Sequence, residues 1–518
     1  MRAVRVLGAI LVVANLLAPV RVLAQPDTVP VEDEPPRPRE DATSTTEDSG
    51  VAEAVSAREA TRGAADDAVS VVRAVDPGPP EDAPGAREGF TFGSYGRVVV
   101  ASDLVGGAGR DADFVRYGSR LDEDSYVELE LARHDVLGTV RSRVVATLAI
   151  AGPLFHYDGR FDDRVAVRNL FLEVEGVPSR TVALWAGSRM ARGDDVYLFD
   201  LWPLDELNVI GGGASLTLGA HVVSLCGGLS RPDDPFQRQS RLAMAPGLLA
   251  PVEVVVLDRP RFVLAGRGRV HLLRAEASDA PRLHVVAYGE AHRLPEGRRA
   301  RTDGPGHETL AADEGWLAGL ELAGTLARWH GQLFVRWARG LGAYDPLGVP
   351  FRPEATVHDT GRAEEWLAAL NVRWELPRFG LLAAGWWRRF RDADPTLFQR
   401  AVVTEGAFAL RPHVFLGAHT GVAFELGWQR HEAASLDDRT GRPVGGGAWK
   451  LGFVPFVTPR GPGLFTRPHL RAVYALTARD DGARSLYPEA DARSRRPFEH
   501  FLGVGAEWWF ETSSRREP

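Results

Sequence analysis

From Gly89 to Phe510 the chain alternates apolar and polar residues over short stretches bounded by Gly, Pro, Asp and Arg. Tyr126, Glu128 and Glu130 alternate with Val127, Leu129 and Leu131. Arg141, Arg143 and Thr147 alternate with Val140, Val144, Ala146, Leu148 and Ile150. Trp366, Ala368, Leu370, Val372, Trp374 and Leu376 alternate with Asn371, Arg373 and Glu375. A period of two places such residues on opposite faces of a strand. The same texture recurs near 92–101, 181–189, 251–272, 283–289, 332–338, 402–409, 421–429, 450–457 and 469–477. The last stretch, "FEHFLGVGAEWWF" at 498–510, puts Leu502, Val504, Ala506, Trp508 and Phe510 on one face. Gly503, Gly505, Glu507 and Trp509 fall on the other.

Strands of roughly nine to eleven residues can cross a bilayer at a tilt. Many of these strands carry charge on the face away from the apolar one. That suits a water-filled lumen better than a sandwich, whose facing sheets are both apolar. The expected fold is therefore all-β, a large antiparallel transmembrane β-barrel over 89–510. A large secreted β-protein is the alternative. No stretch of eighteen uninterrupted apolar residues follows the N-terminus, so no spanning helix is expected.

The N-terminal 88 residues read differently. Arg2 and Arg5 precede "LGAILVVANLLAP", and "VLA" at 22–24 precedes Gln25, the pattern of a secretory signal peptide over 1–24. Residues 25–88 hold sixteen acids against six arginines, rich in Pro and Ala. They read as a disordered periplasmic linker, with a short helical association module over 51–76 as the alternative. Residues 511–518 form a polar tail.

Composition adds exclusions. The net charge is −8 for 518 residues, and most of the acidity sits in 25–88. A nearly neutral body gives no electrostatic case for nucleic acid. One cysteine, Cys226, excludes an internal disulfide, and it reads as a buried or lipid-facing small hydrophobe. Lys450 is the single lysine. No catalytic or nucleotide-binding motif is present, so no enzyme and no cofactor are expected. The triplets Gly211–Gly213 and Gly445–Gly447 read as turns. The pairs Asp194–Asp195 and Asp233–Asp234 read as solvated carboxylates rather than a metal site.

Aromatics and charges that share lumen-facing parity carry the functional signal: Tyr95 with Arg97, Tyr126 with Glu128, and Glu507 with Trp509. Rings stack on the C–H faces of a sugar while charged groups exchange hydrogen bonds with its hydroxyls. Interface-girdle or packing roles fit the same parity.

The segments "FGSYGR", "RLDEDSYVELEL", "VRNLFLEVEG", "LWAGSRMARGDDVYLFDLWPLDELNVIGGG", "FELGW", "TRPHLRAVYALTA" and "GVGAEWWF" resemble, in order, the maltoporin family of outer-membrane sugar porins. The resemblance implies a homotrimer of eighteen-stranded barrels in the bacterial outer membrane, passing maltodextrins or related oligosaccharides passively. It implies an aromatic slide at Tyr95, Tyr126 and Trp509, with Phe334 and Phe415 near two further positions, each displaced by one residue. It implies a polar track at Arg97, Arg120, Glu128, Arg168 and Asp200, with Arg192 beside the position that falls on Gly193. The parity of Arg168 requires a bulge or a non-strand start. Phe155, Tyr157 or Phe161 would stand in for the tryptophan that the family inserts from a neighbouring subunit. A general diffusion porin on the same scaffold is the second reading, and an outer-membrane barrel enzyme or adhesin the third.

Overall fold

The computed structural model describes residues 88–151, 164–231, 236–244, 247, 250–273, 281–301, 305–345, 359–394, 402–436 and 443–512. The signal peptide, nearly all of the linker, Asp233–Asp234, the three aromatics at 155–161 and residues 513–518 lie outside them.

The strands in chain order are β1 (Gly89–Ser102), β2 (Tyr126–Leu137), β3 (Val140–Ala151), β4 (Arg164–Glu175), β5 (Val182–Arg192), β6 (Glu206–Leu218), β7 (His221–Ser230), β8 (Arg238–Met244) and β9 (Pro251–Asp258). They continue as β10 (Arg261–Leu273), β11 (Arg282–Leu294), β12 (Gly297–Ala300), β13 (His307–Leu310), β14 (Asp313–Leu326), β15 (Trp329–Gly340) and β16 (Glu364–Leu376). The last six are β17 (Phe379–Arg391), β18 (Val402–Phe415), β19 (Thr420–Leu436), β20 (Pro443–Val457), β21 (His469–Arg479) and β22 (Phe498–Phe510).

Eighteen of them form one antiparallel sheet, each pairing with its chain neighbour, and β1 closes the ring on β22 through Ser94↔Phe510 to Ser102↔Leu502. Closure removes every edge, the condition for strands to live in lipid. The pairs β8–β9 and β12–β13 are separate hairpins. The alternation over 251–272 thus divides: Pro251–Asp258 leaves the barrel and Arg261–Leu273 belongs to it. Period two reports a strand but not its partner.

One end of the barrel carries tight connections, such as those after Leu137, Leu218, Leu326 and Leu376; the other carries long ones, such as 103–125, 193–205 and 341–363. Short turns mark the periplasmic end and long loops the extracellular end. Gly138 and Gly219 open two of the tight hairpins at φ 63° and 64°, where a side chain would be strained.

The glycine triplets are not turns. Gly211–Gly213 lie inside β6 and Gly445–Gly447 inside β20. A Cβ on Gly211 would sit 2.0 Å from the Gly227 carbonyl oxygen, and one on Gly446 1.8 Å from the Ala483 nitrogen. Gly211 thus serves close backbone approach within the sheet, and Gly446 the close approach of the short helix Asp481–Ser485, rather than chain reversal.

The terminal strand divides as its alternation requires. Leu502 and Val504 are exposed outside, while Glu507 and Trp509 are buried within. Trp508 lies across Ser94 and Gly96, its Nε1 donating to Ser94 Oγ at 3.0 Å, and Phe510 meets Phe92 at 5.9 Å. Cys226 faces inward, half-buried among the lumen-side apolar groups and close to Gly213, not toward lipid.

Candidate functional site

Two long loops fold into the barrel. Residues 103–125 leave β1 with an Asp103 turn, whose Oδ1 accepts from the Val105 and Gly107 amides at 2.9 and 2.6 Å. The loop is then pinned along the wall from β17 to β20. The Trp386 indole donates to the Tyr117 carbonyl at 2.9 Å, Arg116 N donates to Glu405 at 3.2 Å, and the Gln429 amide reaches Asp113 at 2.7 Å. Lys450 Nζ sits between Asp113 at 2.8 Å and Asp122 at 2.5 Å. Asp111 joins these two carboxylates, and the ammonium between Asp113 and Asp122 supplies the compensation that buried charge requires.

Residues 193–205 bury Val196, Tyr197, Leu198, Phe199, Leu201 and Leu204 in the inward apolar cluster. Gly193 N donates to Asp205 Oδ1 at 2.8 Å, closing the loop's base. Asp194 is gripped by Arg267 and Arg269 at 2.7 and 2.6 Å, so it is an ion-pair partner rather than a solvated carboxylate. Those arginines hold its carboxyl below the usual range despite the opposing effect of burial. Burial pushes Asp205 the other way, up to about 6. The loops meet where Arg120 N donates to the Leu198 carbonyl at 3.2 Å.

Between them and the wall of β1–β5 lies a cavity of about 400 Å³, lined by Tyr95, Arg97, Tyr126, Glu128, Arg168, Arg192 and Asp200 together with Trp202 and several acids of the 111–125 segment. Seven of the eleven residues expected on the slide and track therefore line one space. The Tyr95 and Tyr126 rings lie 5.9 Å apart at 52°. Tyr95 OH accepts from Arg120 Nη2 at 2.5 Å, which puts Arg120 immediately behind the ring. Tyr126 OH donates to Glu128 at 2.5 Å, and the Arg168 guanidinium bonds both groups. Arg97 pairs with Glu123, and Arg192 lies 3.7 Å above the Trp202 ring.

Arg168 reaches this space through a bulge. The β3–β4 register shifts between Thr147↔Asn169 and Leu148↔Val167, leaving Arg168 unpaired and free to turn inward. Arg192 stands at the end of β5, and Asp200 is brought in by the 193–205 loop, at φ 50° in the left-handed region.

The other expected aromatics are placed elsewhere. Trp509 lies 6.5 Å from Tyr95 but is covered by Tyr197 at 6.1 Å and by the Arg467 guanidinium at 4.3 Å. Phe334 belongs to the same inward cluster, with no exposed surface. Phe415 stands apart beside His413, at the periplasmic end of β18. Sequence reasoning missed Tyr197, Trp202, Glu123 and Arg467. The first three sit inside quoted motif segments, and Arg467 inside "TRPHL", but local pattern gives no sign that 458–468 folds inward. Its Leu464 and Phe465 reach the inward cluster, and Arg467 Nη2 donates to Tyr197 OH at 2.5 Å.

Residues 273–510 match the family model described as LamB porin. No curated protein matches the chain. Among solved structures, OccAB1 of Acinetobacter baumannii is 9% identical with a TM-score of 0.40, the match covering 85% of this chain and 99% of that one. OccK2 (OpdF) of Pseudomonas aeruginosa, solved in complex with glucuronate, is 12% identical at 0.38, covering 82% and 99%. OmpT of Vibrio cholerae, expressed in the outer membrane, is 10% identical at 0.33, also covering 82% and 99%. The cavity-lining residues all precede the matched segment.

Proposed function

We propose that the chain is an outer-membrane porin of the LamB type, whose family model matches residues 273–510, and that it carries oligosaccharides, maltodextrins among them, by facilitated diffusion. The observation that supports this reading is the cavity. The half-buried Tyr126 ring, with Tyr95 packed against it and only 4% exposed, converges there with three arginines and acids, so a pyranose can stack on Tyr126 while its hydroxyls find both donors and acceptors. In this reading Tyr126 supplies the stacking face with Tyr95 backing it, and Arg97, Arg168 and Arg192 donate to hydroxyl oxygens. Glu128 and Asp200 accept from hydroxyls. Arg120 is a positioning residue, since it fixes Tyr95 through the phenol oxygen. Weak, repeated contacts let the solute move on.

The subunits associate as a homotrimer through the outer face of β2–β7. That face bears Leu129, Leu172, Ile210 and Leu225 among many aliphatics and no Trp, Tyr or Phe. Aromatic girdles belong where a barrel meets the lipid interface.

The general diffusion porin is the second reading. It is favoured by the covering of Trp509 and Phe334, which interrupts an aromatic track below Tyr95.

Single-channel conductance under titration with maltose, maltotriose, sucrose and a charged solute separates the two. A sugar path gives concentration-dependent block that strengthens with glucan length, weakened between about twofold and tenfold in Tyr126→Ala. Conductance indifferent to every sugar supports general diffusion and overturns the site roles given above.

A further inference from the structure

We propose that the outer face of β14–β17, at the extracellular rim, is a docking surface for the phosphorylated glycolipid of the outer leaflet. The patch is built by cross-strand register. Trp337 pairs with Trp366, Trp366 with Arg389, Trp316 with Arg339, and Glu364 with both Arg339 and Arg391. The Trp337 and Trp366 rings stack at 5.3 Å and 15°, and Trp316 meets Trp337 edge-on at 4.5 Å. A single carboxylate organises them. Glu364 accepts from Trp337 Nε1 at 3.1 Å, from Trp366 Nε1 at 3.3 Å and from Arg391 at 2.7 Å.

With Glu364 so engaged, Arg339 and Arg389 are left exposed, and among the described residues neither has an ion pair or side-chain hydrogen bond. Each lies beside an indole, on strands two apart. An exposed Trp belt capped by unpaired guanidinium groups faces the depth at which acyl chains give way to headgroups. There the guanidinium fork matches a phosphate and the indoles match the sugar ring that bears it. Charge complementarity selects this occupant: Arg339, Arg389 and Arg391 outnumber Glu364 and Glu314 on this face, and with Glu364 held by Arg391 and the indoles the remaining positive charge suits an anionic headgroup rather than a neutral lipid.

The test uses the full chain in detergent. It is titrated with a diphosphorylated acyl-glucosamine disaccharide, with the same lipid dephosphorylated, and with phosphatidylglycerol, and bound lipid is counted by native mass spectrometry. The phosphorylated glycolipid is expected to bind. Its affinity is expected to fall about tenfold or more in Arg339→Gln with Arg389→Gln, while Arg339→Lys with Arg389→Lys keeps part of it. Ion conductance stays as in the wild type, which checks folding, because neither residue faces the lumen. Arg430→Gln, an exposed charge toward the extracellular end of β19 and outside the patch, leaves binding unchanged. The proposal is overturned by undiminished binding in the double glutamine variant, by equal binding of the dephosphorylated lipid, or by displacement with equimolar phosphatidylglycerol. A change in oligomer mass without a change in bound lipid also overturns it. None of these readouts depends on whether sugar passes.

Discussion

The two walls of this barrel are built from the same alternating strands and differ on both faces. On β2–β7 the outside is largely aliphatic, with the Arg133–Asp135 ion pair toward the periplasmic end, and free of Trp, Tyr and Phe. On β14–β20 it carries Trp316, Trp337, Trp366, Trp387 and Trp449 toward the extracellular end, and Trp329, Trp374 and Phe379 at the other. Inside, the first wall borders the open cavity, whereas the second is filled by an ion-pair lattice. Glu365 binds both Arg336 and Arg388, and Arg388 reaches Glu405 at 2.8 Å. Loop 103–125 is anchored to that lattice through Arg116 N and Glu405. One wall is thus a rigid support with a lipid-type exterior. The other presents cavity-facing groups within and a smooth exterior suited to another protein surface.

Breaking the lattice gives the largest expected effect. Glu365→Gln leaves Arg336 and Arg388 buried without their shared carboxylate, a loss on the order of 3–5 kcal/mol. Denaturant unfolding in vesicles measures it. The same variant is expected to raise single-channel current noise, because the loop loses part of its anchorage. An unfolding midpoint equal to the wild type would show that the lattice is not what stiffens this wall.

The two exteriors can be set against each other directly. Leu225 and Leu333 are exposed on mid-strand positions of β7 and β15. An arginine at either position near the bilayer midplane costs roughly 2–4 kcal/mol. Only Leu225→Arg is expected to shift the oligomer toward monomer, read as mass in mild detergent. Dissociation by Leu333→Arg instead would move the subunit contact to the aromatic wall.

The base of loop 193–205 is expected to respond to pH. Asp205 is pushed up to about 6 chiefly by burial, against an unfolded value near 4. The folded state therefore binds this proton more tightly than the unfolded chain. Stability rises as pH falls from above 6 toward 4, and above that window the ionised form costs about 3 kcal/mol. In Asp205→Asn this part of the pH dependence of unfolding is expected to vanish. A wild-type profile flat between pH 7.5 and 4.5 would count against it.

Much of this contrast is written locally. Period two marks the barrel strands, and the parity of Arg168 demands the bulge that the β3–β4 register contains. The parity of the last strand separates Trp508 from Trp509. What local pattern does not carry is contact across the lumen. Asp122 meets Lys450 from 328 positions away, and Arg467 meets Tyr197 from 270. No periodicity records such pairs, so the covering of Trp509 by the 458–468 loop was not legible. Glycine misled for a related reason: in "VIGGGAS" it relieves backbone crowding between strands, and the same residue type more often reverses a chain.

The smallest effect concerns the periplasmic girdle. Trp329 and Trp374 stack at 5.1 Å and 7° across β15 and β16. Trp374→Ala removes that contact, worth about 0.5–1.5 kcal/mol beyond the area it buries. A lower thermal midpoint is expected, with the oligomer mass and the sugar response unchanged, because the pair faces neither the smooth wall nor the cavity. The size of the loss should depend on the host bilayer, since an interfacial indole contributes only where headgroups reach it. Reconstitution into bilayers of increasing acyl length therefore sharpens the contrast between the walls. The penalty for Trp374→Ala should change with thickness, while a substitution on β2–β7 that is covered by a neighbouring subunit should give the same penalty in each.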